Sequence, residues 1–117
     1  MSISKESVME MMKRPNVLVL NVLPAEEFDK LHILGSRSLP LTPDHNAFVL
    51  EVQRQYGKER FFIVYGSNIL SRAAIDASEV LQKRGFKAEV YLSGMREWNA
   101  AGFPVEGTAA LKKTVLS

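Results

Sequence analysis

The sequence contains no cysteine among its 117 residues. This absence excludes disulfide bonds, catalysis by a cysteine thiolate and zinc sites built on thiolate ligands. Histidine is almost as scarce, since the chain has only two, His32 and His45. Two imidazoles without thiolates are too few for a typical transition-metal site, so we expect neither a metal nor a cofactor.

The chain also lacks an excess of charge and any long hydrophobic run. Fifteen basic and thirteen acidic side chains give a formal net charge of +2. This balance does not favour nucleic acid or an anionic membrane surface as a partner. No apolar run approaches the ~20 residues that a membrane-spanning helix needs. The first segment, MSISKESVMEMMKRP, carries charges throughout and does not resemble a secretory signal, so we expect a cytoplasmic protein.

What the sequence does contain is a regular alternation of strand and helix patterns. Apolar runs rich in β-branched and aromatic residues predict strands at 17–22, 37–39, 61–65 and 88–92. Capping residues, prolines and glycines predict helices at 4–14, 24–31, 46–56, 70–84 and 95–101. Strands that alternate with helices predict a parallel sheet covered on both faces. We predict one domain over residues 1–107 and a C-terminal tail at 108–117.

The most informative segment is FFIVYGSNILSR, from Phe61 to Arg72. Its strand pattern breaks at Gly66, a short polar loop follows, and an amphipathic helix begins beyond the loop. Such a turn directs backbone N–H groups toward one point beside the positive end of the helix dipole, where α/β proteins bind anions or hold nucleophiles. Loops 23–26, 66–71 and 93–95 each follow a predicted strand, so we expect them to share one rim of the sheet.

Three segments resemble the signatures of the rhodanese family of single-domain sulfurtransferases. LNVLPAEEFDKLHILGSRSLPL (20–41) stands where the family has Asp-Val-Arg, Glu-Phe and Gly-His-Ile-Pro-Gly-Ala. IVYGSNILSRAA (63–74) matches a strand ending in Val-Tyr-Cys and a helix opened by Arg-Ser. YLSGMREWNAAGFPVEG (91–107) matches Leu-x-Gly-Gly-x-x-x-Trp with a trailing Ala-Gly-x-Pro-Val. The resemblance implies a three-layer α/β/α fold around a five-stranded, mostly parallel sheet.

The positions that carry catalysis in that family are altered in this chain. The family's persulfide-bearing cysteine corresponds to Gly66 when counted along the strand, or to Ser67 when counted back from Arg72. The aspartate and arginine of the first signature correspond to Asn21 and Leu23. The replacement of all these residues together indicates a site that no longer catalyses the family's reaction.

The resemblance therefore implies a catalytically inactive rhodanese-like domain that acts as a binding or regulatory module. Its ligand-binding loop comprises Gly66, Ser67, Asn68, Ile69, Leu70, Ser71 and Arg72. We expect this loop to bind a small oxyanion or a protein partner. Two alternatives remain open: a subunit of a sulfur-relay complex whose cysteine comes from a partner, or a serine-dependent hydrolase or phosphatase at Ser67.

The polar residues that remain also have structural interpretations. Arg72 is expected either to hold an anion together with the loop amides or to pair with an acidic neighbour. Ser71 is expected to cap the following helix, and Ser67 lacks a histidine base on the rim. His32, which matches the histidine of the first signature, is expected to anchor its loop by packing and hydrogen bonds. His45 is expected to cap a helix or to be exposed.

Overall fold

The computed structural model of the protein describes residues 3–110. Its helices are Lys5–Met11 (α1), Ala25–Lys30 (α2), His45–Tyr56 (α3), Arg72–Lys83 (α4) and Gly94–Ala100 (α5). Its strands are Val17–Asn21 (β1), His32–Ile33 (β2), Arg37–Ser38 (β3), Phe61–Tyr65 (β4), Lys87–Tyr91 (β5) and Val105–Glu106 (β6). The predicted strands at 17–22, 37–39, 61–65 and 88–92 are all confirmed to within one residue at either end.

The main sheet is parallel and has the strand order β3-β1-β4-β5. β1 pairs with β4 along its whole length, which brings Asn21 opposite Tyr65, and β4 pairs with β5 so that Tyr65 lies opposite Tyr91. The three strands therefore end at the same level. The loops that follow them lie side by side at the carboxyl edge of the sheet, where parallel sheets form their sites.

Over residues 3–110 this sheet has four parallel strands rather than the expected five. β2 and β6 pair with each other as a small antiparallel ribbon, His32 opposite Glu106 and Ile33 opposite Val105. Each of these strands has two residues, which is too short for an alternating pattern to be recognised in the sequence. The expected three-layer α/β/α arrangement, a parallel sheet flanked by helices, is confirmed.

Alternation along the central strands divides the core into two layers. Leu20, Phe62 and Val64 face α3 and α4, whereas Val19 and Ile63 face α1 and α5. Trp98 of α5 is buried in the second layer and donates from Nε1 to Pro104 O at 2.8 Å. Both faces of the central strands are therefore covered, as their nearly continuous apolar sequences predict.

The helix ends follow the capping signals of the sequence, with one instructive exception. Ser4 Oγ accepts a hydrogen bond from Ser7 N at 3.1 Å at the start of α1. Gly57 and Gly85, with φ of 72° and 88°, end α3 and α4 in a conformation that favours glycine. The exception is α4, which begins at Arg72 rather than at residue 70 because the preceding loop forms a turn of its own. Of the predicted tail at 108–117, residues 111–117 lie outside the described part of the chain.

Candidate functional site

The loops after β1, β4 and β5 meet at one rim, as expected from the sequence. The loop after β4 accepts hydrogen bonds from the start of α5: Met95 N donates to Gly66 O at 2.9 Å, and Arg96 N donates to Ser67 O at 2.8 Å. Leu23, from the loop after β1, lines the same cleft as Ser67 and Met95. Backbone bonds between two segments thus fix the geometry of the rim.

The loop after β4 binds two of its own backbone amides. Leu70 N donates to Asn68 Oδ1 at 2.8 Å, and Ser71 N donates to Asn68 O at 2.9 Å. The resulting turn delays the start of α4 and places Ile69 and Leu70 on the outside of the loop. These two amides are engaged within the loop and do not converge on a common ligand.

Gly66, one of the two positions that the resemblance assigns to the family's cysteine, is buried, and the space around it is filled. A Cβ atom at residue 66 would overlap Ser71 Oγ and lie 2.9 Å from Ser71 Cβ, closer than real Cβ contacts allow. Ser71 occupies the N-cap position of α4, but its side chain makes no capping hydrogen bond there. The expected capping role of Ser71 is therefore wrong for its hydroxyl, which instead fills the place of a nucleophile.

Gly94, one glycine of the third signature, is required by its backbone conformation and by a close contact with another backbone segment. Its φ is +64°, and a Cβ atom at this position would lie 2.5 Å from Gly66 O. Only glycine accepts both the positive φ and the close approach of another backbone. The start of α5 therefore packs directly on the loop after β4.

Arg72 lies on the surface of α4 and adopts the second of its two predicted roles. Its Nη2 donates to Asp76 Oδ1 at 3.0 Å, one helical turn further on. The Arg72 side chain is 72% exposed. The guanidinium therefore pairs with an acidic neighbour of its own helix.

Neither histidine is positioned to activate Ser67. His32 is buried, with Nδ1 2.7 Å from Phe28 O and Nε2 3.0 Å from Glu106 Oε1, so both ring nitrogens have partners. Its ring also stacks on Phe28 with the centroids 3.7 Å apart, which confirms the expected anchoring role. His45 is exposed and begins α3. Ser67 itself is exposed on the rim of the cleft, without a base from either histidine in the described part of the chain.

A buried polar network lies beneath the rim, around Tyr65. The hydroxyl of Tyr65 accepts a hydrogen bond from Ile33 N at 3.0 Å and lies 2.8 Å from Ser36 Oγ. Because Ser36 Oγ donates to Ile33 O at 2.7 Å, the Tyr65 hydroxyl is the donor to Ser36. Burial raises the pKa of Tyr65 above its ordinary value.

The two residues that replace the aspartate and arginine of the first signature have structural positions. Asn21 is fully buried, and its Oδ1 accepts a hydrogen bond from Leu23 N at 2.9 Å, which fixes the bend after β1. Within residues 3–110 no partner is found for Asn21 Nδ2. Leu23 presents an apolar wall to the cleft where the family has a cation. The cleft therefore lacks a cation at position 23.

The cleft on this rim has an open volume of about 450 Å³. Its floor is largely apolar, and three charged residues at its edge were not identified from the sequence: Glu27 and Lys30 of α2, and Arg96 of α5. The available signal was the position of Arg96, two residues after the glycine that opens α5. α2 gave no comparable signal, because its sequence alone does not show which of its faces lies on the cleft.

A second hollow of about 400 Å³ adjoins the cleft and is bordered by the outside of the loop. Ile69 and Leu70 line it and are 61% and 83% exposed. They are the only two consecutive large apolar residues that are both exposed in the described part of the chain. Asn68, Arg96 and Ala100 line both depressions. The two depressions therefore adjoin at these three residues, with Ile69 and Leu70 in one and Glu27 and Lys30 in the other.

The described residues contain neither a metal-binding cluster nor a membrane-spanning helix. Among the residues that the structure describes, no group of three or more His, Cys, Asp or Glu side chains is arranged to hold a metal ion. None of the helices within residues 3–110 is long and apolar enough to span a bilayer.

The comparisons with known proteins identify the family. A scan against protein-family models matches the Rhodanese-like domain over residues 4–101. A search of curated proteins gives no match.

Solved structures show the same fold. BH2092 from Bacillus halodurans is 23% identical, with a TM-score of 0.77 over 93% of this chain and 77% of that one. The rhodanese-like domain of Alr3790 from Anabaena sp. is 22% identical, with a TM-score of 0.76 over 93% of this chain and 80% of that one.

A third similar structure contains a persulfide on a cysteine, a residue type that this chain lacks. It is an EanB variant, solved with ergothioneine covalently linked to a persulfide cysteine. It is 18% identical, with a TM-score of 0.77 over 91% of this chain but only 28% of that protein. The chain described here belongs to the family of rhodanese-like domains, as a member that contains no cysteine.

Proposed function

We propose that this chain is a catalytically inactive rhodanese-like domain that acts as a binding module, with loop 66–72 and the adjoining cleft as its recognition surface. One observation carries the proposal. The side chain of Ser71 fills the space that a nucleophile at residue 66 would need, while Ile69 and Leu70 stand exposed beside it.

Inactivity is supported by what surrounds Gly66. Its carbonyl oxygen accepts a hydrogen bond from Met95 N, and the backbone of Gly94 packs against the same oxygen. A cysteine supplied by a partner finds no open space at this point, which weighs against the sulfur-relay alternative. The serine-dependent alternative loses support because Ser67 has no base from His32 or His45.

The chemistry of the loop favours a protein partner over a small oxyanion. Leu70 N and Ser71 N are bound inside the loop, and Arg72 is paired with Asp76. Covering an exposed leucine or isoleucine side chain completely is worth about 1.5–3 kcal/mol, so the pair offers a substantial gain on binding. An anion would gain nothing from these two side chains.

Catalytic inactivity is tested by assaying the purified protein for transfer of sulfur from thiosulfate to cyanide. We expect no rate above the uncatalysed reaction, since transfer by this family requires a thiolate. Reproducible turnover that copurifies with the protein through two unrelated columns would overturn this part of the proposal.

The recognition surface is tested by selecting peptides from a random dodecapeptide display library against the immobilised protein. We expect the enriched peptides to lose binding when Ile69 and Leu70 are both changed to serine. Leu50→Ser is the matched control, since Leu50 is 65% exposed on α3, away from the rim. Peptides that lose affinity equally for the control, or a selection that enriches nothing, would refute the proposed surface.

A further inference from the structure

The surface beside the loop combines apolar and cationic groups in two adjoining depressions. Asn68, Arg96 and Ala100 line both the hollow bordered by Ile69 and Leu70 and the cleft that contains Lys30. The backbone of Arg96 is held by its bond to Ser67 O, so the side chain leaves α5 from a defined point. The apolar pair thus borders one depression, Lys30 borders the other, and Arg96 borders both.

The two cations are without acidic partners in the described structure. Lys5, Lys13, Arg54 and Arg72 all form ion pairs with carboxylates, whereas Lys30 and Arg96 form none within residues 3–110. Both side chains belong to exposed residues on the edge of the cleft. Their charges are thus available to a ligand without first breaking an internal pair.

The acidic groups nearby do not cancel these charges. Glu97 borders the hollow, but its carboxylate accepts a hydrogen bond from the Tyr91 hydroxyl at 2.7 Å and lies 3.9 Å from Lys5 Nζ. Glu27 lines the cleft and is the one acidic residue there, against Lys30 and Arg96. The cleft therefore has an excess of one positive charge.

Resting on the proposed function, we propose that the partner is an acidic peptide segment of another protein. A large apolar side chain of the segment packs against Ile69 and Leu70, and a neighbouring carboxylate pairs with Arg96 and Lys30. Charge complementarity selects the acidic residue, and the exposed aliphatic pair selects its apolar neighbour. Neither half of the surface is large enough to specify a partner alone, so recognition requires both chemistries within a few residues.

The composition of the selected peptides gives the first test. We expect Asp or Glu to be enriched within three residues of a Leu, Ile or Phe, and the binding to weaken as salt increases. Loop-dependent peptides without acidic enrichment would overturn this inference and leave the proposed function standing. A selection without any loop-dependent peptide would overturn both.

Variants with opposite expected effects give the second test. For a synthetic version of the most enriched peptide, measured by fluorescence anisotropy, Arg96→Glu should weaken binding about tenfold, and Glu27→Gln should strengthen it about twofold. Lys87→Glu is the control for charge reversal, since Lys87 is exposed on β5 outside both depressions. Circular dichroism establishes that each variant is folded.

Two results would contradict the proposed contact with an acidic peptide. Equal loss with Arg96→Glu and Lys87→Glu would mean a general attraction to the protein's charge and would refute the proposed contact. If neither Glu27→Gln nor Arg96→Glu changed the affinity for the peptide, the peptide would bind elsewhere and the proposed contact would be refuted.

Discussion

Two polar regions lie on either side of Tyr65 and differ in almost every physical respect. The anchor cluster, His32, Ser36 and Tyr65, is buried: Ser36 and Tyr65 bond to each other and to the backbone of Ile33, and His32 bonds to Phe28 O and Glu106. Loop 66–72 is bonded within itself and to the start of α5, and it exposes Ile69 and Leu70. Removing the Tyr65 hydroxyl would leave the buried Ile33 N unsatisfied, whereas most of the loop side chains face water. The contrast separates the frame of the fold from the loop that we propose as its recognition surface.

The largest effect is expected in the anchor cluster. His32→Ala removes two hydrogen bonds and the stacking on Phe28, and should lower the free energy of unfolding by about 3 kcal/mol. Urea denaturation followed by tryptophan fluorescence measures this change, because Trp98 is buried in the same layer of the core. His45→Ala, at an exposed position, is the control and should change stability by less than about 0.5 kcal/mol. Similar losses in the two variants would mean that the anchor cluster does not hold the fold.

The next largest effect is expected where the two regions meet. Gly66→Ala forces a Cβ atom onto the side chain of Ser71 and should cost about 2 kcal/mol. Ser71→Gly alone should cost only a few tenths of a kcal/mol, since Gly is tolerated at an N-cap. The double variant should therefore recover most of the stability, and a double-mutant cycle measures the coupling. Additive costs would contradict the proposed filling of the nucleophile position.

A smaller effect depends on pH. Tyr65 and Tyr91 have pKa values raised above the ordinary 10.0, chiefly by burial, so the folded state favours their neutral forms. Their contribution to stability is complete below pH ~10 and is lost as the pH rises further. Tyr65→Phe should cost about 1–2 kcal/mol at neutral pH, because Ile33 N loses its acceptor, and should reduce the loss of stability above pH ~10. Unfolding curves at pH values on both sides of 10 test this, and an unchanged alkaline slope would contradict it.

The smallest effect is expected at the residue that the sequence marks most strongly as functional. Arg72→Ala removes one exposed pair with Asp76 and should change the free energy of unfolding by less than about 0.5 kcal/mol. An NMR titration of the wild-type protein with thiosulfate, sulfate and phosphate should give no saturable shifts that depend on Arg72. Shifts that vanish in the variant would restore the anion-binding interpretation of the loop.

The strands, the helix ends and the shared rim could be predicted from the sequence, whereas the partners of some site residues could not. Strands and helix ends were predictable because they depend on local patterns and on glycines such as Gly57 and Gly85. The rim was predictable because parallel strands in register must end together. The role of His32 followed from the resemblance, but its partner Glu106 lies 74 residues away, in a strand too short to recognise.

The details of the site were less predictable because they depend on side-chain direction. Asn68 bonds to its own loop in a turn that ends at Ser71, and the side chain of Ser71 lies against Gly66. No pattern in the sequence distinguishes that turn from one that leaves the nucleophile position open. Lys30 and Arg96 were missed because they belong to separate helices, and only the fold brings them to the same cleft.

The pairing of β2 with β6 has a consequence for how the domain is assembled. It closes a loop of 74 residues, which contains every strand of the main sheet except β1. Closing so long a loop carries an entropic cost before any contact is gained, and contacts of this kind form late in folding. During synthesis, β1 and β4 can pair once the chain has been made as far as Tyr65. The hydrogen bond between His32 and Glu106 can form only after Glu106 has been synthesised. We therefore expect the ribbon of β2 and β6 to form after the parallel sheet that carries loop 66–72.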